Sequence, residues 1–321
     1  MAEPGIEELQ ARVGAGDSDA ATRLARRMIT GDGVPQTLPA ALDLLRSASA
    51  KGNADAALQL SVCAAWGVGQ SRDIAEALDH LTRAVECGSS SALRELRVLA
   101  RASGDDWRNL RQAIDVPALT TAPAVRVISE QPRILVVERF ATADECASLI
   151  ELGRPALRRA LVYRGSADAR AAESRTNTEA SFTIFQANVL LNLIRERMAS
   201  VLQVSTRFFE VTKLLHYEPG EQFALHADFL QTSTPELVRE VELRGQRSMT
   251  FLTYLNEGYE GGETHFPRLG LRHKGARGDA LVFSNLDANG APDYSTVHAG
   301  LATVAGEKWL LSQWVRTKPV G

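Results

Sequence analysis

Apolar side chains in the first hundred residues of this 321-residue chain recur at the three- and four-residue spacing of amphipathic helices. The pattern returns at an interval of 36 residues, which relates Gly16, Gly52 and Gly88. The same interval joins further matched positions: Ala20, Ala56 and Ala92; Leu24, Leu60 and Leu96; Gly31 and Gly67. Glycines at such positions end one helix and admit the turn to the next. The sequence therefore predicts a short solenoid of paired helices over residues 1–103, with about two complete units.

From Ile134 onward the pattern changes to short strand-like runs separated by glycines, with helices predicted at 144–152 and 189–202. Many short strands with turn signals predict an antiparallel barrel or double-sheet jelly roll over residues 134–321. The proline-containing stretch 104–133 is predicted to be a linker. The expected fold class is α+β. The strand-like segments after residue 208 are 209–217, 223–229, 249–255, 280–283 and 308–315.

Composition narrows the classes of partner. The net charge is −3, from 36 basic and 39 acidic side chains, so the chain lacks the basic surplus that attracts nucleic acid. We expect no nucleic acid partner. The first residues lack the apolar core of a signal peptide, and no run of residues is apolar enough to suggest a membrane span. Three widely spaced cysteines without a CxxC motif fit a reducing compartment, so we expect a cytoplasmic protein.

The turn inside the first helical unit reads Gly31-Asp32-Gly33-Val34, and the second copy reads Gly67-Val68-Gly69-Gln70. These units resemble the Sel-one-like repeat, which is related to the tetratricopeptide repeat. The resemblance implies a surface that binds a protein partner. The alternative is a helical support that shields the neighbouring domain, since two units offer little groove.

A histidine and an aspartate stand two residues apart in Leu225-His226-Ala227-Asp228-Phe229, where a strand would point both side chains to one face. His298 lies in a later strand-like segment. Two histidines and one carboxylate form the facial triad of non-haem Fe(II) oxygenases, which leaves coordination positions open. His226, Asp228 and His298 are therefore the predicted metal ligands. Without further context, a histidine in such a strand is more often a structural residue.

Ten residues after His298 comes Lys308, in Gly306-Glu307-Lys308-Trp309. This even offset would let a β-hairpin carry both side chains to one inner face. A cation there suits 2-oxoglutarate, because this dicarboxylate can chelate iron at one end while its far carboxylate meets the ammonium group. The alternative is an ordinary solvated lysine on a strand.

Five further segments stand in a fixed order around these residues: His216 to Phe223, Thr253 to Asn256, Gly261 to Pro267, Gly278 to Phe283, and His298-Ala299-Gly300 followed by Lys308-Trp309. Together they resemble the prolyl-4-hydroxylase branch of the 2-oxoglutarate oxygenases over about 133–316. The resemblance implies a double-stranded β-helix (jelly-roll, cupin-like) barrel with supporting helices. It also implies that Tyr217 helps to hold 2-oxoglutarate, with Thr264 in the same pocket. Arg175-Thr176-Asn177 resembles an Arg-Thr-Ser segment near the family's substrate loop.

The resemblance further implies Fe(II) as the metal, dioxygen and 2-oxoglutarate as co-substrates, and ascorbate as an additional reductant. The expected reaction is hydroxylation of a C–H bond, with a prolyl residue of a peptide or protein as substrate. Two alternatives stay open. The same iron centre could act on a free amino acid or another small molecule, or the repeats could form a binding adaptor beside an inactive barrel.

Overall fold

The computed structural model describes residues 4–161 and 173–320. The chain folds into two compact units. The first unit contains the N-terminal residues up to Leu119 together with Ala187–Leu193, and the second contains Thr120–Gln186 and Ile194–Gly321. Helix α10 therefore begins in one unit and continues in the other. No helix among the described residues is long and apolar enough to cross a membrane.

The first unit is helical and follows the predicted repeat. Its helices are α1 (Ile6–Gly14), α2 (Ser18–Thr30), α3 (Leu38–Ala50), α4 (Ala54–Trp66), α5 (Ile74–Glu86), α6 (Ser90–Ala100), α7 (Trp107–Ala113) and α8 (Val116–Thr120). Helices α2 and α4 begin at matched capping residues, Asp17 and Asn53, whose side chains accept hydrogen bonds from backbone N–H groups. Both helices end at a left-handed glycine, Gly31 or Gly67. The repeated glycines thus mark the ends of equivalent helices.

Residues 104–133 differ from the predicted linker, because they contain α7, α8 and the strand β1 (Arg126–Glu130). Asp106 caps α7 by accepting hydrogen bonds from the N–H groups of Arg108 and Asn109. Strand β1 pairs antiparallel with β2 (Arg133–Val137). Pro117 lies in the first turn of α8, where proline is tolerated, while Pro123 and Pro132 fall between the elements. A capping aspartate and a neighbouring strand supply the hydrogen bonds that the sequence pattern alone did not reveal.

The second unit is an antiparallel β structure with helices. After β2 come α9 (Ala143–Gly153), β3 (Arg158–Arg159), β4 (Thr178–Ser181), α10 (Val189–Leu202), β5 (Lys213–Tyr217), β6 (Phe223–His226), α11 (Pro235–Arg244), β7 (Arg247–Tyr254), β8 (Glu260–Gly261), β9 (Thr264–Phe266), β10 (Leu271–His273), β11 (Ala280–Ser284), β12 (His298–Gly300), β13 (Thr303–Ala305) and β14 (Lys308–Arg316). The expected α+β class is confirmed.

Two sheets enclose the core of this unit. The larger sheet has the strand order β1-β2-β11-β7-β14-β5-β4-β3, and the smaller one has the order β10-β9-β12-β6. Phe266 of the smaller sheet packs with Phe283, Leu310 and Tyr254 of the larger sheet in one buried cluster. Strands β13 and β8 form a separate pair. The core therefore lies between the two sheets, and the side chains that face it define the cavity described next.

Candidate active site

His226 and His298 face each other across the pairing of β6 with β12, in which they are direct partners. Their ring centroids are 4.3 Å apart. The Nδ1 atom of His226 donates to the Ala224 carbonyl at 2.8 Å, and that of His298 donates to the Thr296 carbonyl at 3.0 Å. Each donation places the ring proton on Nδ1. Both Nε2 atoms therefore keep a free lone pair, which is the form that binds a metal.

The carboxylate of Asp228 completes this group. Its Oδ1 lies 3.6 Å from His226 Nε2, and its Oδ2 lies 3.8 Å from His298 Nε2. Burial alone would raise the pKa of Asp228, but the neighbouring histidines and a hydrogen bond from Thr250 outweigh it and hold the pKa below its usual range. Burial, followed by repulsion from His298, lowers the pKa of His226. The site thus combines a neutral imidazole of His226 with an ionised carboxylate.

This donor set fits a divalent iron ion. The candidate ligand atoms of the three residues all lie within 4.8 Å of one another. The distances from each Nε2 atom to the Asp228 carboxylate are too long for good hydrogen bonds. The acceptor atoms of the three residues therefore point towards one place without a hydrogen-bond partner there. Two neutral imidazoles and one carboxylate are the ligands that non-haem Fe(II) sites use. A metal ion is the partner that would satisfy all three groups at once.

Lys308 is only 1% exposed and lies inside the same unit. Its Nζ donates to the Gly262 carbonyl at 2.6 Å and lies 5.1 Å from the ring centre of Tyr217, its partner on β5. Burial lowers the pKa of Lys308 to about 7. A buried ammonium with one backbone acceptor has donors left for a further anionic partner. The solvated-lysine alternative does not describe this side chain.

Tyr217 and Thr264 complete the pocket around this lysine. Both are buried, and burial raises the pKa of Tyr217 to about 12, so its hydroxyl stays protonated. The hydroxyls of Thr264 and Tyr254 share a hydrogen bond of 2.9 Å. These two residues and Lys308 line one cavity together with His226, Asp228 and His298. All six residues predicted from the sequence are therefore brought together.

Two sequence expectations differ in their geometry. Asp228 lies in a bend after β6, which ends at His226, so the predicted strand alternation does not place it. His298 and Lys308 do not share a hairpin, because β13 separates them and they belong to different sheets. Opposed sheets bring the two side chains to one cavity. The even spacing of His298 and Lys308 thus identified the right residues, but the predicted hairpin between them is not the arrangement that brings them together.

Arg175 and Trp314 are among the cavity residues that were not predicted as site residues. Arg175 is 4% exposed, lines the cavity and lies 4.6 Å from the ring centre of Phe223. The sequence signal for Arg175 was only the resemblance of its segment. Trp314 also lines the cavity. It continues the alternation of β14, in which Lys308, Leu310 and Ser312 face the same cavity, so counting by twos from Lys308 would have found it.

Comparisons with known proteins agree with this geometry. The model of the 2OG-Fe(II) oxygenase superfamily matches residues 212–316, which include all six predicted site residues. Prolyl 4-hydroxylase 1 of Arabidopsis thaliana is 32% identical over 213 residues, which cover 60% of this chain and 71% of that protein. The probable prolyl 4-hydroxylase 10 of the same plant is 30% identical over 214 residues, which cover 60% of this chain and 71% of that protein.

Solved structures match two parts of the chain with low TM-scores. A viral collagen prolyl hydroxylase from Paramecium Bursaria Chlorella virus-1, in its 2OG complex, is 25% identical and covers 57% of this chain and 95% of its own, with a TM-score of 0.44. A Sel1 repeat protein from Oxalobacter formigenes is 20% identical and covers 26% of this chain and 63% of its own, with a TM-score of 0.25.

The superfamily match and the donor set define the class of protein, an oxidoreductase that is a 2-oxoglutarate- and Fe(II)-dependent dioxygenase. Within this class the chain belongs to the prolyl 4-hydroxylase family. The iron and the co-substrates of that class are Fe(II), 2-oxoglutarate and dioxygen. The expectation of an enzyme is confirmed, and the alternative of an inactive adaptor is not supported.

Proposed function

We propose that this enzyme hydroxylates a prolyl residue of a peptide or protein and releases succinate and carbon dioxide. The observation that carries the proposal is the convergence of His226, Asp228 and His298 within 4.8 Å, in the same cavity as the buried Lys308. The names of the plant relatives support the choice of a prolyl substrate.

We assign His226, Asp228 and His298 as the ligands of Fe(II). A facial triad leaves the other coordination positions open for co-substrates. When bound, Fe(II) with 2-oxoglutarate supplies the reductive activation of dioxygen that inserts one oxygen atom into a C–H bond. The backbone carbonyls of Ala224 and Thr296 hold the two imidazoles in the tautomer that presents Nε2 to the metal. The protein thus fixes the donor atoms before the metal arrives.

We assign Lys308, Tyr217 and Thr264 to 2-oxoglutarate. The ammonium of Lys308 donates to the far carboxylate, and the protonated hydroxyl of Tyr217 is placed to donate beside it. The hydroxyl of Thr264 is restrained by Tyr254. Because these groups are buried, the carboxylate exchanges water for fixed donors in a site of low dielectric constant.

The substrate side of the cavity is aromatic and cationic. The ring of Phe223 stacks on His226 with centroids 3.5 Å apart, so apolar surface lies next to the metal ligands. Trp314 adds a second aromatic side chain, and Arg175 lies over Phe223. A pyrrolidine ring can pack on such surfaces, while the arginine offers donors to a peptide carbonyl. These features support a prolyl residue within a peptide.

A direct test incubates the enzyme with Fe(II), 2-oxoglutarate and oxygen, with proline-rich peptides and free proline in parallel. We expect the peptide to gain one oxygen atom, detected by mass spectrometry, with one succinate formed per modified residue. The variant His226→Ala should form neither product, because it lacks a metal ligand. Exclusive modification of free proline would overturn the peptide assignment and favour the small-molecule alternative.

The control variant in this assay is His273→Ala, a histidine on β10 that does not line the cavity. It should retain turnover. Turnover that survives in His226→Ala would contradict the ligand assignment, and equal loss in both variants would show that the assay reports on folding.

We propose further that the repeat unit binds a partner protein. An open groove supports this; Leu24 and Met28 of α2, Val34 of the following turn and Leu44 of α3 line it. A protein substrate should then be modified at a lower KM than a peptide copy of its prolyl segment.

A reducing, cytoplasmic location is also proposed, since Cys63, Cys87 and Cys146 are all free thiols. Ascorbate is proposed as a reductant that keeps the iron ferrous.

A further inference from the structure

A chain of two hydrogen bonds leads away from the carboxylate of Asp228. The hydroxyl of Thr250 donates to Asp228 Oδ2 at 2.7 Å, and the side-chain amide of Asn285 donates to the oxygen of that hydroxyl at 2.9 Å. A threonine hydroxyl has a single proton. Because the amide of Asn285 supplies a donor to Thr250, the hydroxyl proton points towards Asp228. The amide of Asn285 therefore fixes the direction of both hydrogen bonds.

The residues of this hydrogen-bond chain are held by neighbouring strands. Thr250 lies on β7 and is 1% exposed, and Asn285 follows β11 directly and is 0% exposed. The backbone N–H of Asn285 donates to the Ser248 carbonyl at 2.8 Å, and its carbonyl accepts from the N–H of Asp293 at 3.0 Å. Both ends of the Asn285 backbone are thus anchored. Its side chain has little freedom to turn away from Thr250.

This arrangement costs stability. The Oδ1 atom of Asn285 is buried and has no hydrogen-bond partner among the described residues. A buried, unpaired acceptor typically costs about 1–3 kcal/mol. An apolar side chain at this position would avoid that cost. Packing alone does not explain the amide, because an apolar side chain would be more stable there. The amide is suited to directing the hydroxyl of Thr250.

We propose that Thr250 and Asn285 are positioning residues for the metal ligand Asp228. Thr250 engages Oδ2 and Asn285 directs its hydroxyl, which leaves Oδ1 as the carboxylate atom presented to the metal. Holding one oxygen in this way keeps Asp228 from occupying a second coordination position, which the co-substrates require. The inference rests on the proposed function, because it assumes that Asp228 is a metal ligand.

The experiment measures metal affinity without turnover. Apoprotein is titrated with Co(II) in the absence of oxygen and 2-oxoglutarate, and the visible absorption bands of bound Co(II) report both affinity and ligand geometry. Thr250→Val keeps the shape of the side chain but removes the hydroxyl. We expect about 10- to 100-fold weaker binding and altered bands, the range typical when a partner of a metal ligand is lost.

The matched control is Thr253→Val. Thr253 lies on the same strand and is fully buried, but its hydroxyl has no hydrogen-bond partner among the described residues. It should bind Co(II) like the parent protein. Equal affinity in Thr250→Val and Thr253→Val would overturn the inference. Parent protein that binds no Co(II) would overturn the proposed function as well, so the two failures are distinguishable.

Two further variants keep the test decisive if Thr250→Val does not fold. Thr250→Ser and Thr250→Ala differ only in the hydroxyl, and we expect the serine variant alone to retain strong binding. Asn285→Leu should weaken binding less than Thr250→Val, since the hydroxyl stays but loses its direction. Equal affinities in the serine and alanine variants would refute a positioning role.

Discussion

In the proposed assignment, the burial of the Lys308 ammonium is unfavourable before 2-oxoglutarate binds and is compensated afterwards. Its ammonium is 1% exposed and meets a single carbonyl, so burial lowers its pKa to about 7. A carboxylate placed beside it would favour the charged form again. Binding of 2-oxoglutarate should therefore be coupled to protonation of this lysine.

We predict that the affinity for 2-oxoglutarate falls as the pH rises above about 7, by up to about tenfold per pH unit. The sign follows from the lowered pKa: above it the free enzyme holds a neutral amine, which must take up a proton to bind a carboxylate. Calorimetric titration of Mn(II)-loaded enzyme, without oxygen, between about pH 6 and pH 9 measures this dependence.

Lys308→Met should bind 2-oxoglutarate weakly at every pH and lose this dependence. The control is Lys318→Met, because Lys318 is exposed in the same unit. It should keep the parent profile. An unchanged pH slope in Lys308→Met would assign the titration to another group.

The residue scale also separates what the sequence reveals from what it cannot. Two histidines and a carboxylate are recognisable metal ligands, so the spacing of His226, Asp228, His298 and Lys308 carried the prediction. Asn285 gave no such signal. Its role depends on β7 lying beside β11, and that pairing joins residues 27 to 35 positions apart in the sequence. The role of a small polar residue such as Asn285 depends on which side chains the fold places beside it, and the sequence alone does not show these.

At the scale of elements, the strands that carry the site are joined by turns, and at some of these turns there is no space for a side chain. Gly278 precedes β11, donates to the Tyr254 carbonyl at 2.7 Å and accepts from the N–H of Ala141 at 2.9 Å. Its φ is +87°, and an added Cβ would collide with the carbonyl oxygen of Ala141. Glycine is therefore required both for the backbone conformation and for the contact.

We predict that Gly278→Ala lowers the free energy of unfolding by about 2–5 kcal/mol, combining left-handed strain with overpacking. Gly290→Ala is the matched control, because its φ is +79° but no atom lies within 4 Å of the added Cβ. That variant should lose about 1–2 kcal/mol. The shift of the denaturant midpoint measures both variants, and equal losses would show that the Ala141 contact contributes nothing.

Element boundaries were predictable where the pattern was local. The run 308–315 corresponds to β14, and 249–255 to β7. The run 223–229 was too long, because β6 ends at His226 and the chain then bends. Asp228 is held in that bend by Thr250, a tertiary contact that alternation of side chains does not encode.

At the scale of the whole molecule, the repeat pattern predicted paired helices, but it did not predict which distant segment joins them. The N–H of Leu190, in the first turn of α10, donates to Glu95 Oε1 at 2.9 Å. Burial raises the pKa of Glu95 to about 7. Both residues belong to the helical unit, although they are far apart in the sequence. Periodicity describes neighbours along the chain and misses such a pairing.

The proposed function depends on one iron ion shared by His226, Asp228 and His298, with 2-oxoglutarate bound by Lys308. The most direct measurement adds Fe(II) and 2-oxoglutarate to the protein without oxygen and records the visible spectrum. We predict a charge-transfer band that requires both additions and is absent in Asp228→Ala. A spectrum without this band in the folded parent protein, or an unchanged band in Asp228→Ala, would contradict the shared iron site.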